Sequence, residues 1–184
     1  MRKNNMRFEY EIGATPLDPD EIEGLIPKHI TTHSQLNEWE AANILDADNW
    51  LFSTSNHGDF LVIDFVRLLH RKMFNSTWKW AGVFRSTAKN IGVDPQQITT
   101  ALKNLLEDIR YQIINNIYSI DEIAYRFHHR LVWIHPFPNG NGRHARMITD
   151  FLLTQAGQPR FTWGKNNLLK EGPTRKKYID ALNV

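Results

Sequence analysis

The chain has 184 residues, 22 Lys and Arg against 20 Asp and Glu, a formal charge of +2 with the histidines neutral, and no cysteine. At this length a single domain with a substantial core is expected without disulfides, and the missing thiols exclude a disulfide framework and any thiolate metal site. The near balance of charge gives no electrostatic footprint for direct nucleic-acid binding, and the polar start and the lack of any apolar run of about 18 residues speak against a signal peptide or a membrane span, so a cytoplasmic protein is expected.

Residues 13–30 are interrupted by Gly13, Pro16, Pro19, Gly24 and Pro27, which leaves room for one helical turn over Pro19-Asp20-Glu21-Ile22-Glu23-Gly24. Proline early, acids in the first turn and glycine at the stop all favour that turn. Thr32-His33-Ser34-Gln35 has the form of a capping box, and Leu36, Trp39, Ala42 and Ile44 follow at helical spacing to about Asp48. A Ser- and Asn-rich connection is expected over 49–57, then a second helix from Gly58 to about Phe74, apolar on more than one face and therefore central. Residues 75–94 lose the helical period. Trp78, Trp80, Val83, Phe84, Ile91 and Val93 alternate loosely about Lys89-Asn90, and the pattern predicts a short β-hairpin. Asp94-Pro95-Gln96-Gln97 then supplies N-cap, proline and glutamine for a helix with Ile98, Leu102, Leu105, Leu106 and Ile109 on one stripe. Ser119-Ile120-Asp121-Glu122 is another capping box, and its helix must stop near Ile134, because Pro136 disfavours helical backbone at His135. A helix begins again near Asn141 and ends before Gly157 and Pro159; residues 175–182 predict one more short helix. The fold class is all-α, a helical bundle with one small hairpin.

The chemistry concentrates in His135-Pro136-Phe137-Pro138-Asn139-Gly140-Asn141-Gly142-Arg143-His144-Ala145-Arg146. Glycines let backbone N–H groups approach an anion, and a helix N-terminus aims its free donors the same way. Arg143 and Arg146 lie about one turn apart and suit phosphate oxygens. A neutral His135 could take a proton from an attacking hydroxyl, and the Asn139 amide oxygen could face a hard cation such as Mg²⁺. Alone, each element has an ordinary structural use, as a turn residue or a solvated helix face; their convergence within twelve positions is what points to phosphate chemistry.

Those twelve residues resemble the signature of the Fic (Fido, Fic/Doc) family, H-P-F-x-[D/E]-G-N-[G/K]-R-x-x-R, at every constrained position except Asn139. Leu69-His70-Arg71-Lys72-Met73-Phe74 and Trp80-Ala81-Gly82-Val83-Phe84-Arg85 are similar to the family's helix and following flap, and Thr15-Pro16-Leu17-Asp18-Pro19-Asp20 resembles the subgroup called mobile mystery protein B. The resemblance implies a domain over 50–184, with its core at about 50–160, behind an N-terminal extension over 1–49. It further implies a protein adenylyltransferase that moves AMP from ATP to a Ser, Thr or Tyr hydroxyl of a target protein. His135 would be the general base, and the backbone of Gly140, Asn141 and Gly142 the phosphate cradle. Arg143 and Arg146 would bind the β- and γ-phosphates, and Asn139 would stand at the metal position, where an acid is commoner. Thr87, Ala88, Lys89, Asn90, Ile91 and Gly92 would form the edge on which an extended target segment docks.

The family's self-inhibition motif, [S/T]-x-x-x-E-[G/N], is matched in part by Ile22-Glu23-Gly24, with Pro19 in place of the hydroxyl residue; on that match Glu23 would pair with Arg146. A weaker candidate runs from Ser34 to Glu38. Three other functions compete. The histidines at 128, 129, 135 and 144 could serve a metal hydrolase, although no H-E-x-x-H pattern exists and adjacent His128 and His129 face different ways. The fold could be kept as a non-catalytic nucleotide-binding module, or it could carry phosphoryl transfer or removal of AMP. A partner antitoxin is a further expectation of the resemblance.

Overall fold

The computed structural model describes residues 18–53 and 57–163. Expectations for residues 1–12 and for a helix over 175–182 lie outside these. The described chain is helical: α1 (Pro19–Ile22), α2 (His33–Ser53), α3 (Ile63–Phe74), α4 (Ile98–Ile114, led in by a 3₁₀ turn at Pro95–Gln97), α5 (Ile120–Ile134) and α6 (Asn141–Gln155). The all-α bundle is as the sequence predicts. None of the helices among the described residues is long and apolar enough to cross a membrane.

The capping chemistry forms where the sequence places it. Glu21 accepts from the Asp18 N–H at 2.7 Å in front of α1. Thr32 Oγ1 accepts from the Gln35 N–H at 3.3 Å, and Gln35 Oε1 accepts in return from the Thr32 N–H at 3.2 Å. Asp94 accepts from the Gln96 N–H and Ser119 from the Glu122 N–H. Each such cap satisfies a donor that a helix start leaves orphaned, for roughly 1 kcal/mol.

Two boundaries and one element differ from the expectation. α2 does not end near Asp48 but continues to Ser53, carrying the chain across positions 49–50 without a break. Ala47 and Leu51 extend its buried stripe, and that tertiary burial outweighs the polar composition of the segment. α3 starts at Ile63 rather than Gly58: Gly58 has φ +69°, Val62 is extended, and Asp59 accepts from the Leu61 N–H. The predicted hairpin over 75–94 forms no strand ladder; among the described residues an isolated antiparallel bridge joins Leu25 to Trp78. A lone two-stranded hairpin is marginal in water, and here the loop's polar groups go to partners in other elements.

α3 lies at the centre. It packs along α2 and also meets α4 and α6, while α5 packs along α4 and α6. Phe65, Val66, Leu69, Met73 and Phe74 of α3 are all buried, at roughly 1.5–3 kcal/mol for each large side chain. Phe65 stacks on Phe151 of α6 with ring centroids 5.8 Å apart. This packing sets α5 and α6 side by side and leaves the six-residue turn between them, 135–140, facing α3 and the loop after it.

Candidate functional site

The α5–α6 turn is locked from inside. Asn141 Oδ1 accepts from the Phe137 N–H at 2.9 Å while Asn141 Nδ2 donates to the Phe137 carbonyl at 2.8 Å, so one buried amide closes the loop on itself. Its side chain is therefore a brace, and only its backbone is available to a ligand. Phe137 is fully buried, stacked on His70 at 3.7 Å and edge-on to His144 at 5.2 Å. At Gly140, φ is +77° and a Cβ would lie 2.5 Å from the Phe74 ring, so the position requires glycine twice over. At Gly142 a Cβ would meet nothing closer than Arg146 Nη1 at 3.7 Å, and the side facing that residue is open.

His135 follows α5 in left-handed backbone, φ 52° and ψ 60°, a conformation that costs a non-glycine residue on the order of 1 kcal/mol. Several bonds hold it there. Its N–H donates to the Leu131 carbonyl, and its own carbonyl accepts from Arg85 Nε at 2.6 Å. The Arg85 N–H donates to the Pro136 carbonyl at 3.0 Å, and the Val93 N–H to the Ile134 carbonyl at 3.3 Å. Burial, then the positive charges of Arg85 and Lys89, push the His135 pKa down to about 4, against a smaller opposing effect from the Val132 backbone. The imidazole is accordingly neutral at pH 7 and able to accept a proton.

Two further histidines support the turn. His70 Nδ1 accepts from the Gly82 N–H at 2.9 Å, which leaves Nε2 to carry the hydrogen and donate to the Asn139 carbonyl at 3.1 Å. Complete burial holds its pKa well below the ordinary value, as this tautomer requires. His144 Nε2 bonds the Val66 carbonyl at 3.0 Å, and burial takes its pKa down to about 4. Of the adjacent pair in α5, His128 is the buried one; desolvation, then the nearby charge of Arg146, lowers its pKa to about 3.

The two arginines take different neighbours. Arg143 Nη1 donates to Glu40 Oε2 at 2.6 Å, across from α2, and Arg143 Nη2 donates to Asn139 Oδ1 at 3.3 Å. The guanidinium lies 5.0 Å over the Phe74 ring. The Glu40 carboxylate is 5 % exposed and its other oxygen accepts from Trp78 Nε1 at 2.6 Å. Arg146 lies beside Gly142 and close enough to His128 to act on its titration. The expected Glu23–Arg146 pair is not formed. Glu23 is exposed at the C-cap of α1, and its carboxylate takes part in no ion pair among the described residues. The acid that meets a signature arginine is Glu40. Ser34 and Glu38, of the weaker candidate, are exposed.

The loop over 83–93 is tied to the N-terminal segment and to His135. Lys89 donates to Glu21 at 2.6 Å and to Asp18 at 3.0 Å, and Thr87 Oγ1 donates to Asp18 at 2.8 Å. These bonds, that of Lys89 foremost, hold the Asp18 carboxyl below its ordinary pKa. Arg85 also donates to the Thr87 and Val93 carbonyls. Ala88 and Asn90 are exposed, Ile91 packs on the core, and Gly92, φ +115°, lies so near His135 that a Cβ would approach its Cβ to 2.8 Å.

Among the described residues no group of three or more His, Asp or Glu side chains converges on a point that could hold a metal ion. Asn139 Oδ1 accepts from the Gly140 N–H at 2.6 Å as well as from Arg143. An amide oxygen already facing a backbone N–H and a guanidinium does not fit a protein-held Mg²⁺, which is taken through one or two carboxylates.

Four side chains of the site carried no functional expectation in the sequence: Glu40, His70, Trp78 and Arg85. Glu40 sits on the buried stripe of α2, four residues before the apolar Ile44, and an acid at a core position was the signal available. His70 likewise interrupts an apolar helix.

The Fic/DOC family model matches residues 60–153. The chain is 27 % identical over 161 residues to the protein adenylyltransferase fic-1 of Caenorhabditis elegans, covering 85 % of this chain and 30 % of that protein. It is 31 % identical over 104 residues to the protein adenylyltransferase Fic of Nematostella vectensis, covering 54 % of this chain and 24 % of that one. The chain thus spans less than a third of the length of these relatives. Among solved structures, the N-terminal Fic domain of a cell filamentation protein from Bartonella quintana with bound ADP superposes with a TM-score of 0.66 at 22 % identity, over 88 % of this chain and 87 % of that one.

Proposed function

The chain belongs to the Fic/DOC family, and from that premise we propose that it is a protein adenylyltransferase that moves AMP from ATP to a Ser, Thr or Tyr hydroxyl of a target protein. The observation that carries the reading is the juxtaposition, within one turn, of a buried neutral imidazole and a glycine-rich helix start with a fixed guanidinium. Similarity to proteins named adenylyltransferases and to an ADP-bound Fic domain supports it.

In this reading the target hydroxyl oxygen attacks the α-phosphorus as its proton passes to His135. The new O–Pα bond forms while the bond from Pα to the bridging oxygen breaks, and pyrophosphate leaves with its charge toward the start of α6. The backbone N–H groups there, aided by the field of a fifteen-residue helix, and Arg143 with Arg146 receive that charge. At pKa about 4 His135 is a weak base on its own; the negative phosphates of a bound nucleotide oppose Arg85 and Lys89 and raise it toward the working range. A target segment in extended form would dock through its backbone against 87–92.

Incubation of the protein with α-labelled ATP and a cell lysate tests this. Label should pass to protein with the wild type and be lost with His135→Ala; label that persists in the variant would remove the assignment.

A further inference from the structure

The geometry points to nucleotide-phosphate binding that needs no protein-bound divalent cation, with Asn139 acting as a positioning residue for Arg143 rather than as a metal ligand. The inference rests on the nucleotide reading above.

An amide oxygen has two lone-pair directions. At Asn139 one meets the Gly140 N–H at 2.6 Å and the other Arg143 Nη2 at 3.3 Å. A dication drawn to this oxygen would have to displace both donors and would then stand beside a guanidinium, where like charges repel. The carboxylate in the neighbourhood cannot replace it: Glu40 is 5 % exposed, with one oxygen on Arg143 and the other on Trp78 Nε1, each at 2.6 Å. Removing it from Arg143 would leave a buried charge unpaired.

The same contacts make Arg143 a preorganised cation. Glu40 holds one Nη, Asn139 the other, and the Phe74 ring lies under the plane at 5.0 Å. A guanidinium has five N–H donors, and these two bonds use two of them. Arg143 therefore meets a phosphate in a fixed orientation at the first turn of α6, where the helix start at Asn141 and Gly142 leaves backbone donors without intrahelical acceptors. Aspartate at 139 would undo the arrangement. It would compete with Glu40 for Arg143 and put a negative charge beside the phosphates, and that charge needs a dication to screen it.

Isothermal titration of ADP into the full chain, once in EDTA and once in excess Mg²⁺, reads this directly. For the wild type the two Kd values should agree within about threefold, whereas Asn139→Asp should weaken binding about tenfold or more in EDTA and regain it with Mg²⁺. Wild-type binding that weakens about tenfold or more in EDTA overturns the inference and leaves the nucleotide reading standing. Wild-type protein that binds no ADP under either condition overturns both. The wild-type comparison stands without the variant, so a misfolded Asn139→Asp protein would not protect the proposal.

Discussion

The α5–α6 turn and the loop over 83–93 face one another across His135, and they differ in how far they rely on local contacts. The turn has a set of braces close in sequence, Asn141 to Phe137 four residues away, Arg143 to Asn139 four away and Gly140 to Asn139 next to it, to which distant His70 and Glu40 add. The loop is held by partners far away, with Arg85 reaching fifty residues to His135 and Lys89 reaching 71 residues to Asp18. The turn can therefore keep much of its shape from its local braces, whereas the loop depends on Asp18 and Glu21 being in place. A locally braced turn and a loop held from a distance follow from that contrast.

The comparison can be tested from either side. The largest effect expected is His135→Ala, which should lower AMP transfer by about 10²–10⁴-fold through loss of the base, while ADP affinity measured by calorimetry stays within about threefold because the cradle is intact. Unchanged transfer would show that the turn's chemistry lies elsewhere.

Acid should attack the turn next. His128, His135 and His144 have folded pKa values near 3, 4 and 4, below the ordinary 6.5, so between these limits the unfolded chain binds more protons than the folded one. Stability is then fully present above about pH 6.5 and falls as pH drops toward 4, at about 1.4 kcal/mol per pH unit for each histidine and on the order of 5 kcal/mol in all by pH 5. Urea midpoints at pH 7.5, 6 and 5 measure it; a flat profile would mean that these rings are not buried neutral.

Phe137→Ala removes the side chain on which His70, Phe84 and His144 converge. A loss of roughly 3 kcal/mol or more is expected, visible as a lower Tm. A small loss would show that Asn141 alone braces the turn.

The smallest effect belongs to the loop. Lys89→Ala should cost on the order of 1–2 kcal/mol, since the Lys89 side chain is buried but the Asp18 carboxylate is half-exposed and can be rehydrated. It should nonetheless make the loop more open to proteolysis. It should also raise the His135 pKa slightly, because the Lys89 charge is among the causes of its depression, a shift that NMR titration can follow. If Lys89→Ala destabilised the protein as much as Phe137→Ala, the two regions would not differ as described.

Much of the site was legible because its determinants are local. The caps at Thr32–Gln35, Asp94 and Ser119, the stop at Ile134 before Pro136, and the restart at Asn141 all depend on residues within four positions of one another. Helix stripes such as Leu102, Leu105, Leu106 and Ile109 follow from the helical period alone. The twelve residues from His135 to Arg146 carry their chemistry in type and order, and they lie together in the fold as the sequence places them.

Tertiary structure decided the rest, because the deciding contacts join residues that no local pattern relates. The continuation of α2 to Ser53 depends on burial of Ala47 and Leu51 under the bundle. The segment expected as a hairpin lost its ladder to Arg85, Lys89 and Thr87, whose partners stand at α5's end, in α1 and just before it. Arg143 found Glu40 across 103 residues, in place of the expected pairing between Glu23 and Arg146. Sequence alone thus determined where the glycine-rich turn would form and which residues it contains. Which acid faces its arginine, whether Asn139 can offer an oxygen to a cation, and what neutralises His135 were settled by side chains that meet only after α2, α3, α5 and α6 have packed, when burial sets both the charge state and the partner.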